Sequence, residues 1–270
     1  MATTLINTLA GFVPAVFIVH GLKRRPSSLL IELTNICNAN CGYCGYRFIK
    51  RSQGIMTEGA FKRIIDQYDQ LGGGPVNLAG IVGDPLLDPN IIERIRYAAA
   101  KKNVKLVKFS TNGIALDRFE ALKLLRSGVG RIVVDIAGPD RQAYKAIFGV
   151  DAYERVTENI MRLLNVNDSL GRPVKIITVI KYGDTNDSSV GLLGQQLREG
   201  GATVITDRLQ DSWCGLISSQ DLCGNMELVP VLPKGDPCSI LFTEIVAQWD
   251  GRICACCRDL QGELVIGDVH

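Results

Sequence analysis

Three cysteines in one short segment are the residues whose spacing points most directly to chemistry. Cys37, Cys41 and Cys44 form a C-x3-C-x2-C pattern directly after an apolar run. Soft thiolates favour iron–sulfur clusters or zinc over hard cations. A zinc site would need a fourth cysteine or histidine nearby, and the chain's two histidines, His20 and His270, lie outside this segment. Three thiolates instead suit three irons of a [4Fe–4S] cluster, whose fourth iron is then free to bind a substrate or cofactor.

The segment resembles the cluster loop of the radical S-adenosylmethionine (radical SAM) enzymes, in which an aromatic residue, here Tyr43, precedes the last cysteine. The resemblance implies that the open iron chelates the amino and carboxylate groups of S-adenosylmethionine (SAM). It also implies that the reduced cluster cleaves SAM to methionine and a 5′-deoxyadenosyl radical, which abstracts hydrogen from a substrate. The chain is therefore predicted to be a radical SAM oxidoreductase with a [4Fe–4S] cluster and SAM as cofactors.

From residue 28 onward, short β-branched runs alternate with amphipathic helical patterns, which indicates βα units around a parallel sheet. The predicted strands span 28–33, 76–82, 105–110, 131–136, 174–180 and 202–207. Helices are predicted over about 57–71, from Asp88-Pro89 onward, over 152–165 and near 187–199. Six units are too few to close an eight-stranded barrel. They match the α/β fold class of the radical SAM enzymes, a partial (β/α)6 TIM-like barrel.

Two strand ends carry turns that the resemblance assigns to SAM binding. In parallel α/β folds the site lies at the carboxyl ends of the strands, where the cysteine loop is also expected. Gly83-Asp84-Pro85 resembles the family's Gly-Gly-Glu-Pro turn, which holds the SAM amino group, although Val82 replaces the first glycine and Asp84 the glutamate. Ser110-Thr111-Asn112-Gly113 matches the family's Ser/Thr-Thr-Asn-Gly, which contacts SAM carboxylate or ribose. Both segments are also common turn chemistry, so a purely structural role stays open.

Charged residues at the ends of the later strands are candidates for handling the substrate. Asp135 ends the fourth strand and either binds ribose or substrate or caps the next helix. Lys181 ends the fifth strand, and Asp207 and Arg208 end the sixth. These three are predicted to face the cavity as catalytic residues, with Asp207 or Arg208 positioning the substrate. An ion pair at the barrel rim is the structural alternative.

The region after residue 210 is rich in loops and cysteines. Asp250-Gly251 lies between two alternating runs and predicts a β-hairpin with a two-residue turn. Cys238 precedes this hairpin, and Cys256 follows its second strand. The pattern Cys238-x12-Gly251-x4-Cys256 resembles the start of the SPASM or shorter Twitch extension of radical SAM enzymes. The resemblance implies that these two cysteines ligate an auxiliary [4Fe–4S] cluster.

The remaining ligands of an auxiliary cluster are left open by the sequence. Relatives usually continue to a final cysteine pair, so this chain is expected to be a truncated or short variant or to use other thiols. Cys254 and Cys257 have C-x2-C spacing and are predicted as ligands with Cys238 and Cys256, whereas Cys214 and Cys223 lie in the preceding loop. On a straight strand Cys254 and Cys256 would share a face and Cys257 would not, so convergence requires a bulge.

Composition places the chain among ordinary globular proteins. Its 270 residues, 46% of them hydrophobic, suffice for one large domain with an appendage. A net charge of +2 does not indicate the strongly basic surface that is typical of nucleic-acid-binding proteins. The predicted division is an N-terminal segment (1–27) packed on the barrel, the radical SAM barrel (28–210) and a SPASM- or Twitch-like region (211–270).

The N-terminal segment is not predicted to cross a membrane. Its apolar stretch 9–19 is interrupted by Pro14 and is shorter than the ~20 residues that a span requires. A helix packed on the barrel is favoured over an interfacial segment. Because no secretory signal is convincing, the nine cysteines are interpreted as metal ligands in a reducing cytoplasm and not as disulfides.

Two classes of function compete. The first is an enzyme that oxidises a small molecule such as a sugar or cyclitol, while an auxiliary cluster takes the second electron and flavodoxin or ferredoxin supplies electrons. This resembles Twitch-type cyclitol oxidation and also SPASM maturases that act on peptides. A small-molecule substrate is favoured because residues 1–27 are too short for a winged-helix peptide-binding module. The second class is an iron–sulfur electron-transfer or binding protein, which would not need the SAM-binding turns.

Overall fold

The computed structural model describes residues 26–138, 140–181, 188–224, 226–229, 238 and 240–270. The predicted packing of the N-terminal segment (1–27) on the barrel therefore lies almost wholly outside the described residues. None of the described helices combines the length and the apolar character that crossing a membrane requires.

Six parallel strands follow one another in chain order across the central sheet. They are β1 (Ser28–Ile31), β2 (Gly74–Asn77), β3 (Val104–Thr111), β4 (Arg131–Ile136), β5 (Lys175–Ile180) and β6 (Thr203–Thr206). Each strand pairs in parallel with the next one. Among the described residues β1 and β6 do not pair with each other, so this part of the sheet stays open. The predicted α/β partial (β/α)6 barrel is confirmed.

Most of the helices pack their apolar faces onto this sheet, as the helical periodicity predicts, whereas the short last helix buries none of its residues. They are α1 (Glu58–Gln70), α2 (Ile91–Ala99), α3 (Ala121–Leu125), α4 (Arg141–Phe148), α5 (Tyr153–Ser169), α6 (Ser188–Glu199) and α7 (Ile240–Thr243). Short 3₁₀ helices span Gly45–Phe48, Pro85–Leu87, Leu116–Arg118 and Ser219–Asp221.

Helix α1 agrees with its predicted span to within one residue at each end. The Thr57 hydroxyl accepts a hydrogen bond from the Ala60 amide (3.2 Å) and caps the helix start. The predicted apolar face from Phe61 to Tyr68 is buried. The prediction that Leu71 shares this face is wrong, because the helix ends one residue earlier and Leu71 is 50% exposed.

Two other predicted boundaries differ from the structure. Helix α2 begins at Ile91 and not at Asp88-Pro89, because Asp88 ends the preceding 3₁₀ helix, where its amide donates to the Pro85 carbonyl (3.1 Å). Strand β2 ends at Asn77 and not at residue 82, because the chain turns away from the sheet at Gly80, which has a φ of +70°.

The C-terminal strands extend the same sheet beyond β1. They are β9 (Glu244–Ala247), β10 (Arg252–Cys254) and β11 (Val265–Asp268), while β7 (Leu209–Gln210) and β8 (Glu227–Leu228) form a separate two-stranded ribbon. Strand β9 pairs in parallel with β1, and β10 and β11 follow in antiparallel pairing. The cysteine-rich region is therefore bonded to the barrel along the whole of β1.

The predicted hairpin is present, but its turn has three residues and not two. The Gln248 amide donates to the Arg252 carbonyl (2.9 Å), which closes the loop around Trp249, Asp250 and Gly251. Gly251 has a φ of +93°, and its amide donates to the Gln248 carbonyl (3.0 Å). A turn followed by a left-handed glycine is the usual three-residue hairpin loop.

Candidate active site

The cysteine loop lies at the carboxyl end of β1, as predicted. Cys37, Cys41 and Cys44 are half-buried and line one cavity. The Asn40 amide donates a hydrogen bond to the Phe148 carbonyl (2.9 Å), so the loop is held against the end of α4. The local spacing of the thiols and the packing of α4 together bring the three sulfurs to one side of the loop.

Burial raises the pKa of all three thiols. The pKa of Cys37 rises to about 12, and the negative charge of Asp84 adds to the effect of burial. For Cys41, the neighbouring Cys44 and Cys37 thiolates raise the pKa further, and the pKa of Cys44 is also raised by burial. A bound cation reverses this effect, because thiols lose their protons when they coordinate a metal. Three adjacent soft donors fit an iron–sulfur cluster.

Hydrogen-bond donors already face two of the sulfurs. The Tyr46 amide donates to Cys44 Sγ (3.5 Å), and Asn112 Nδ2 donates to Cys37 Sγ (3.7 Å). Such donors tune the potential of iron–sulfur clusters. In the part of the chain that the structure describes, no group of three or more His, Cys, Asp or Glu side chains is arranged to hold a metal ion. A [4Fe–4S] cluster differs in that each cysteine binds a separate iron, so the thiols need not converge on a single ion.

The turn after β2 packs directly against the start of the cysteine loop. Gly83 has a φ of +91°, and a Cβ there would lie 2.3 Å from the Thr34 carbonyl oxygen, so only glycine fits. The Asp84 amide donates to the Ile36 carbonyl (2.8 Å). Pro85 then begins a short 3₁₀ helix. The structure thus brings the predicted Gly83-Asp84-Pro85 turn to the cysteine loop.

The Asp84 carboxylate is committed to hydrogen bonds within the protein. It is 2% exposed and accepts from Thr111 Oγ1 (2.8 Å), the Asn112 amide (2.8 Å) and the Leu86 amide (3.0 Å). Burial raises the pKa of Asp84, and these donors oppose the rise. The shorter aspartate therefore positions the turn after β3, whereas its contact with the SAM ammonium stays a prediction.

The turn after β3 also contacts the cysteine loop. Asn112 Nδ2 donates to Asn38 Oδ1 (2.8 Å), and Asn38 lies between the first two cysteines. Ser110, Thr111 and Asn112 all line the cavity of the thiols. Asn38 was not among the predicted site residues. The one feature of the sequence that could have indicated it is its position, as an amide side chain, between Cys37 and Cys41.

Replacing Asp84 with asparagine is expected to weaken SAM binding about tenfold. The side-chain amide presents an N–H group to either the Leu86 backbone amide or the Asn112 backbone amide, both of which are donors, and so displaces the turn. Equilibrium dialysis of SAM against reconstituted protein of known iron content measures the effect. Asp117→Asn, which changes a partly exposed carboxylate paired with Arg155, is the matched control. Equal SAM affinities in the two variants would contradict this role of Asp84.

Charged side chains from three neighbouring strand ends meet beside the thiols. Lys181 Nζ lies 2.6 Å from Asp207 Oδ2 and 4.0 Å from Asp135 Oδ1, and it is 14% exposed. The same ammonium is 5.7 Å from the centre of the Tyr43 ring, and Tyr43 and Asp135 line the cavity. Burial raises the pKa of Asp135 to about 6, against the opposing charge of Lys181. We call Asp135, Lys181 and Asp207 the charged triad.

Arg208 does not join the charged triad. Its side chain is 57% exposed and lies 3.8 Å from Glu227 Oε1 at the β7–β8 ribbon. The Asp207 amide still bonds to the Ile180 carbonyl (3.0 Å) at the end of the sheet, and successive residues of an extended chain face opposite sides. For Arg208, the structure therefore shows the structural alternative, an ion pair at the rim of the barrel.

The predicted ligands of the C-terminal region are not equivalent. Cys254 is 1% exposed and packs in an apolar cluster with Trp213. Cys256 and Cys257 are half-buried, and Cys238 is exposed. The strand alternation that would place Cys254 and Cys256 on one face does not apply, because β10 ends at Cys254.

A parallel partial barrel with a three-cysteine loop and polar turns at its strand ends defines a class of cluster-binding α/β barrels. The family model of the Radical SAM superfamily matches residues 31–192, and the chain belongs to this superfamily. Membership implies a [4Fe–4S] cluster and SAM as cofactors, which confirms this part of the prediction.

Proteins of similar sequence are named GTP 3′,8-cyclases. A probable GTP 3′,8-cyclase of Methanothermobacter thermautotrophicus is 29% identical over 198 residues, which are 72% of this chain and 61% of that protein. A probable GTP 3′,8-cyclase of Sulfurisphaera tokodaii is 29% identical over 157 residues, 58% of this chain and 48% of that protein. The chain thus spans less than two thirds of the length of either relative.

Solved structures with low sequence identity share the fold. SuiB of Streptococcus suis, bound to its precursor peptide SuiA, superposes with a TM-score of 0.64 at 15% identity, over 94% of this chain and 64% of that one. BtrN in complex with AdoMet (SAM) and 2-DOIA superposes with a TM-score of 0.56 at 16% identity, over 92% and 80% of the two chains.

Proposed function

We propose that this chain is a radical SAM oxidoreductase that binds SAM beside the three-cysteine loop and oxidises a small polar molecule such as a sugar or cyclitol. The observation that carries this proposal is the charged triad, whose Lys181 lies 2.6 Å from Asp207 and 4.0 Å from Asp135. These groups stand at the carboxyl ends of adjacent strands, next to the cavity of the thiols, where a polar substrate can meet SAM.

The triad can take the proton and hold the oxygen of an alcohol substrate. When bound, the cluster and SAM supply a 5′-deoxyadenosyl radical that takes a hydrogen atom from carbon. Forming a ketone also releases the hydroxyl proton and one electron. Asp135, whose pKa burial raises to about 6, accepts the proton near neutral pH. Lys181 donates a hydrogen bond to the substrate oxygen. An auxiliary iron–sulfur cluster held by cysteines of the C-terminal region would supply the acceptor for the electron.

The charge of the triad favours a neutral or cationic substrate over a nucleoside triphosphate. Two carboxylates flank a single ammonium, so ionised Asp135 and Asp207 leave one net negative charge that repels phosphates. GTP cyclisation is nevertheless the second candidate, because relatives that carry this name are 29% identical to this chain over 157 and 198 residues.

Replacing Lys181 with methionine is expected to lower kcat/KM for substrate oxidation about 100-fold. The variant keeps the length of the side chain but loses the donor and leaves Asp207 without its partner. SAM cleavage in the absence of substrate persists, because Lys181 does not touch the cysteine loop's sulfurs. Lys175→Met, at the exposed opposite end of β5, is the matched control. Loss of substrate-free SAM cleavage in the Lys181 variant would instead indicate a structural role.

The substrate class is tested by adding myo-inositol, glucosamine, GTP or a peptide library to reconstituted protein with SAM and dithionite. The measured quantity is 5′-deoxyadenosine formed per chain. Stimulation by the cyclitol or the amino sugar supports the proposal. Stimulation by GTP alone would indicate that this chain catalyses the GTP cyclisation for which its relatives are named. Stimulation by peptides alone would indicate that the chain is a peptide maturase.

A further inference from the structure

The side-chain amide of Asn112 has partners within the protein for both its oxygen and its nitrogen. Asn112 Oδ1 accepts a hydrogen bond from the Ile114 amide (3.0 Å). Asn112 Nδ2 donates one hydrogen to Asn38 Oδ1 (2.8 Å) and the other to Cys37 Sγ (3.7 Å). An amide nitrogen carries two hydrogens, so both bonds form at once. The resemblance to the family implies a contact between this turn and SAM, but the nitrogen of Asn112 has no further hydrogen to donate.

The partners of Asn112 also determine which way its amide group points. Ile114 offers a backbone N–H group, which can only donate. Exchanging the oxygen and the nitrogen of the side chain would set two donors against each other at Ile114 and an oxygen against the Cys37 thiolate. The surroundings therefore select the orientation in which an N–H group faces the sulfur.

The donor and the sulfur are both held in place by other residues. Asn112 is 8% exposed, and the carbonyl of the next residue, Gly113, accepts a hydrogen bond from Asn159 Nδ2 (3.0 Å) on α5. On the opposite side of the contact, the Cys37 amide donates to the Tyr46 hydroxyl (3.2 Å). The N–H group and the thiol thus face each other across two anchored segments.

The nearby Asp84 carboxylate gives this donor a specific task. Its negative charge adds to burial in raising the pKa of the Cys37 thiol, so it acts on the sulfur. A negative charge at this place disfavours the addition of an electron to the metal centre. The Asn112 backbone amide donates to Asp84 Oδ2 (2.8 Å), while the side chain of the same residue donates to the sulfur. One residue therefore supplies donors to both negatively charged groups.

We infer that Asn112 raises the reduction potential of the cluster held by the three-cysteine loop, because its side chain donates a hydrogen bond to the Cys37 thiolate. Reduction adds negative charge to the cluster and its thiolates, and an N–H donor stabilises that charge. Asn112 is in this role a positioning residue and not a ligand of SAM. The inference depends on the cluster that membership of the superfamily implies, and it is independent of the charged triad and of the proposed substrate.

The test is the reduction potential of the reconstituted whole chain, measured without SAM or substrate. Replacing Asn112 with leucine removes the donor but keeps a side chain of similar size. We expect the midpoint potential to fall by about 59 mV, which is a tenfold lower ratio of reduced to oxidised cluster at a fixed potential. Anaerobic titration followed by electron paramagnetic resonance measures it. The relevant signal is the one that disappears when Cys37, Cys41 and Cys44 are replaced by alanine.

A second variant and a matched control separate the hydrogen bond from the shape of the turn. Asn112→Asp keeps an acceptor for the Ile114 amide, and it is expected to lower the potential at least as far, because it sets a negatively charged oxygen against the thiolate. Asn159→Ala removes the donor to the Gly113 carbonyl in the same turn but no donor to a sulfur. It is expected to keep the potential of the unmodified chain. Circular dichroism and iron counting check that each variant is folded and carries its cluster.

Three results would overturn the inference. The first is an unchanged potential in either of the folded Asn112 variants. The second is an equal fall in Asn159→Ala, since the potential would then respond to displacement of the turn. The third is weaker SAM binding by Asn112→Leu at an unchanged potential, which would make Asn112 a SAM ligand. A lower potential in both Asn112 variants, together with no change in Asn159→Ala, supports the inference.

Discussion

Replacing Cys37, Cys41 and Cys44 with alanine is expected to reduce SAM cleavage to background while the chain stays folded. The three thiols line the cavity and are half-buried, so their loss removes donors and not the main core. Without them no open iron is available to bind SAM, and about four irons per chain are lost. Cleavage is measured as 5′-deoxyadenosine formed with dithionite and SAM, and folding by circular dichroism.

Cys223→Ala is the matched control for this experiment. Cys223 is also half-buried, and its thiol lies 3.5 Å from the Ala146 carbonyl oxygen. It is expected to cleave SAM at the rate of the unmodified chain. Cleavage that survives in the triple alanine variant would remove the cysteine loop from the mechanism and overturn the assignment of the site.

Replacing Arg51 with methionine is expected to lower the free energy of unfolding by about 3–5 kcal/mol. Glu32 is fully buried, and Arg51 Nη1 lies 2.7 Å from Glu32 Oε2. Arg51 Nε also donates to the Leu260 carbonyl (2.8 Å), and the Trp249 amide donates to Glu32 Oε2 (3.3 Å). The pair joins the end of β1 to the C-terminal hairpin, and methionine leaves a buried carboxylate without its partner.

Two further variants distinguish the destabilisation caused by an unpaired buried charge from the net contribution of the Arg51–Glu32 pair to stability. Arg155→Met breaks a partly exposed ion pair with Asp117 and is expected to cost at most about 1 kcal/mol. Glu32→Met combined with Arg51→Met is expected to recover much of the lost stability, because no buried charge remains. Guanidinium unfolding of the cluster-free chain measures all of them. An Arg51→Met cost no larger than that of Arg155→Met contradicts this account of the pair.

The barrel could be predicted from the sequence because short β-branched runs alternate with amphipathic helical patterns along the chain. The predicted strands 131–136 and 174–180 agree with β4 (Arg131–Ile136) and β5 (Lys175–Ile180) almost residue for residue. The cysteine loop could also be predicted, since ligand spacing on a short loop is a local property. Both signals are contained within a few neighbouring residues.

Features that depend on distant segments could not be predicted in the same way. The aspartate of the Gly83-Asp84-Pro85 turn accepts its hydrogen bonds from a turn 27 residues later, so the sequence suggested only a SAM contact. Arg208 is exposed and lies beside Glu227 on another strand. The side-chain directions of Cys254 and Cys256 depend on where β10 ends, which the alternating pattern overestimated.

The measurement that tests the central claim most directly is anaerobic reconstitution of the unmodified chain, followed by iron and sulfide counting and a 5′-deoxyadenosine assay with dithionite and SAM. The account predicts about eight irons per chain and formation of 5′-deoxyadenosine. About four irons with 5′-deoxyadenosine would keep radical chemistry at Cys37, Cys41 and Cys44 and remove the second cluster. A reconstituted cluster that forms no 5′-deoxyadenosine would contradict the central claim and indicate an electron-transfer protein.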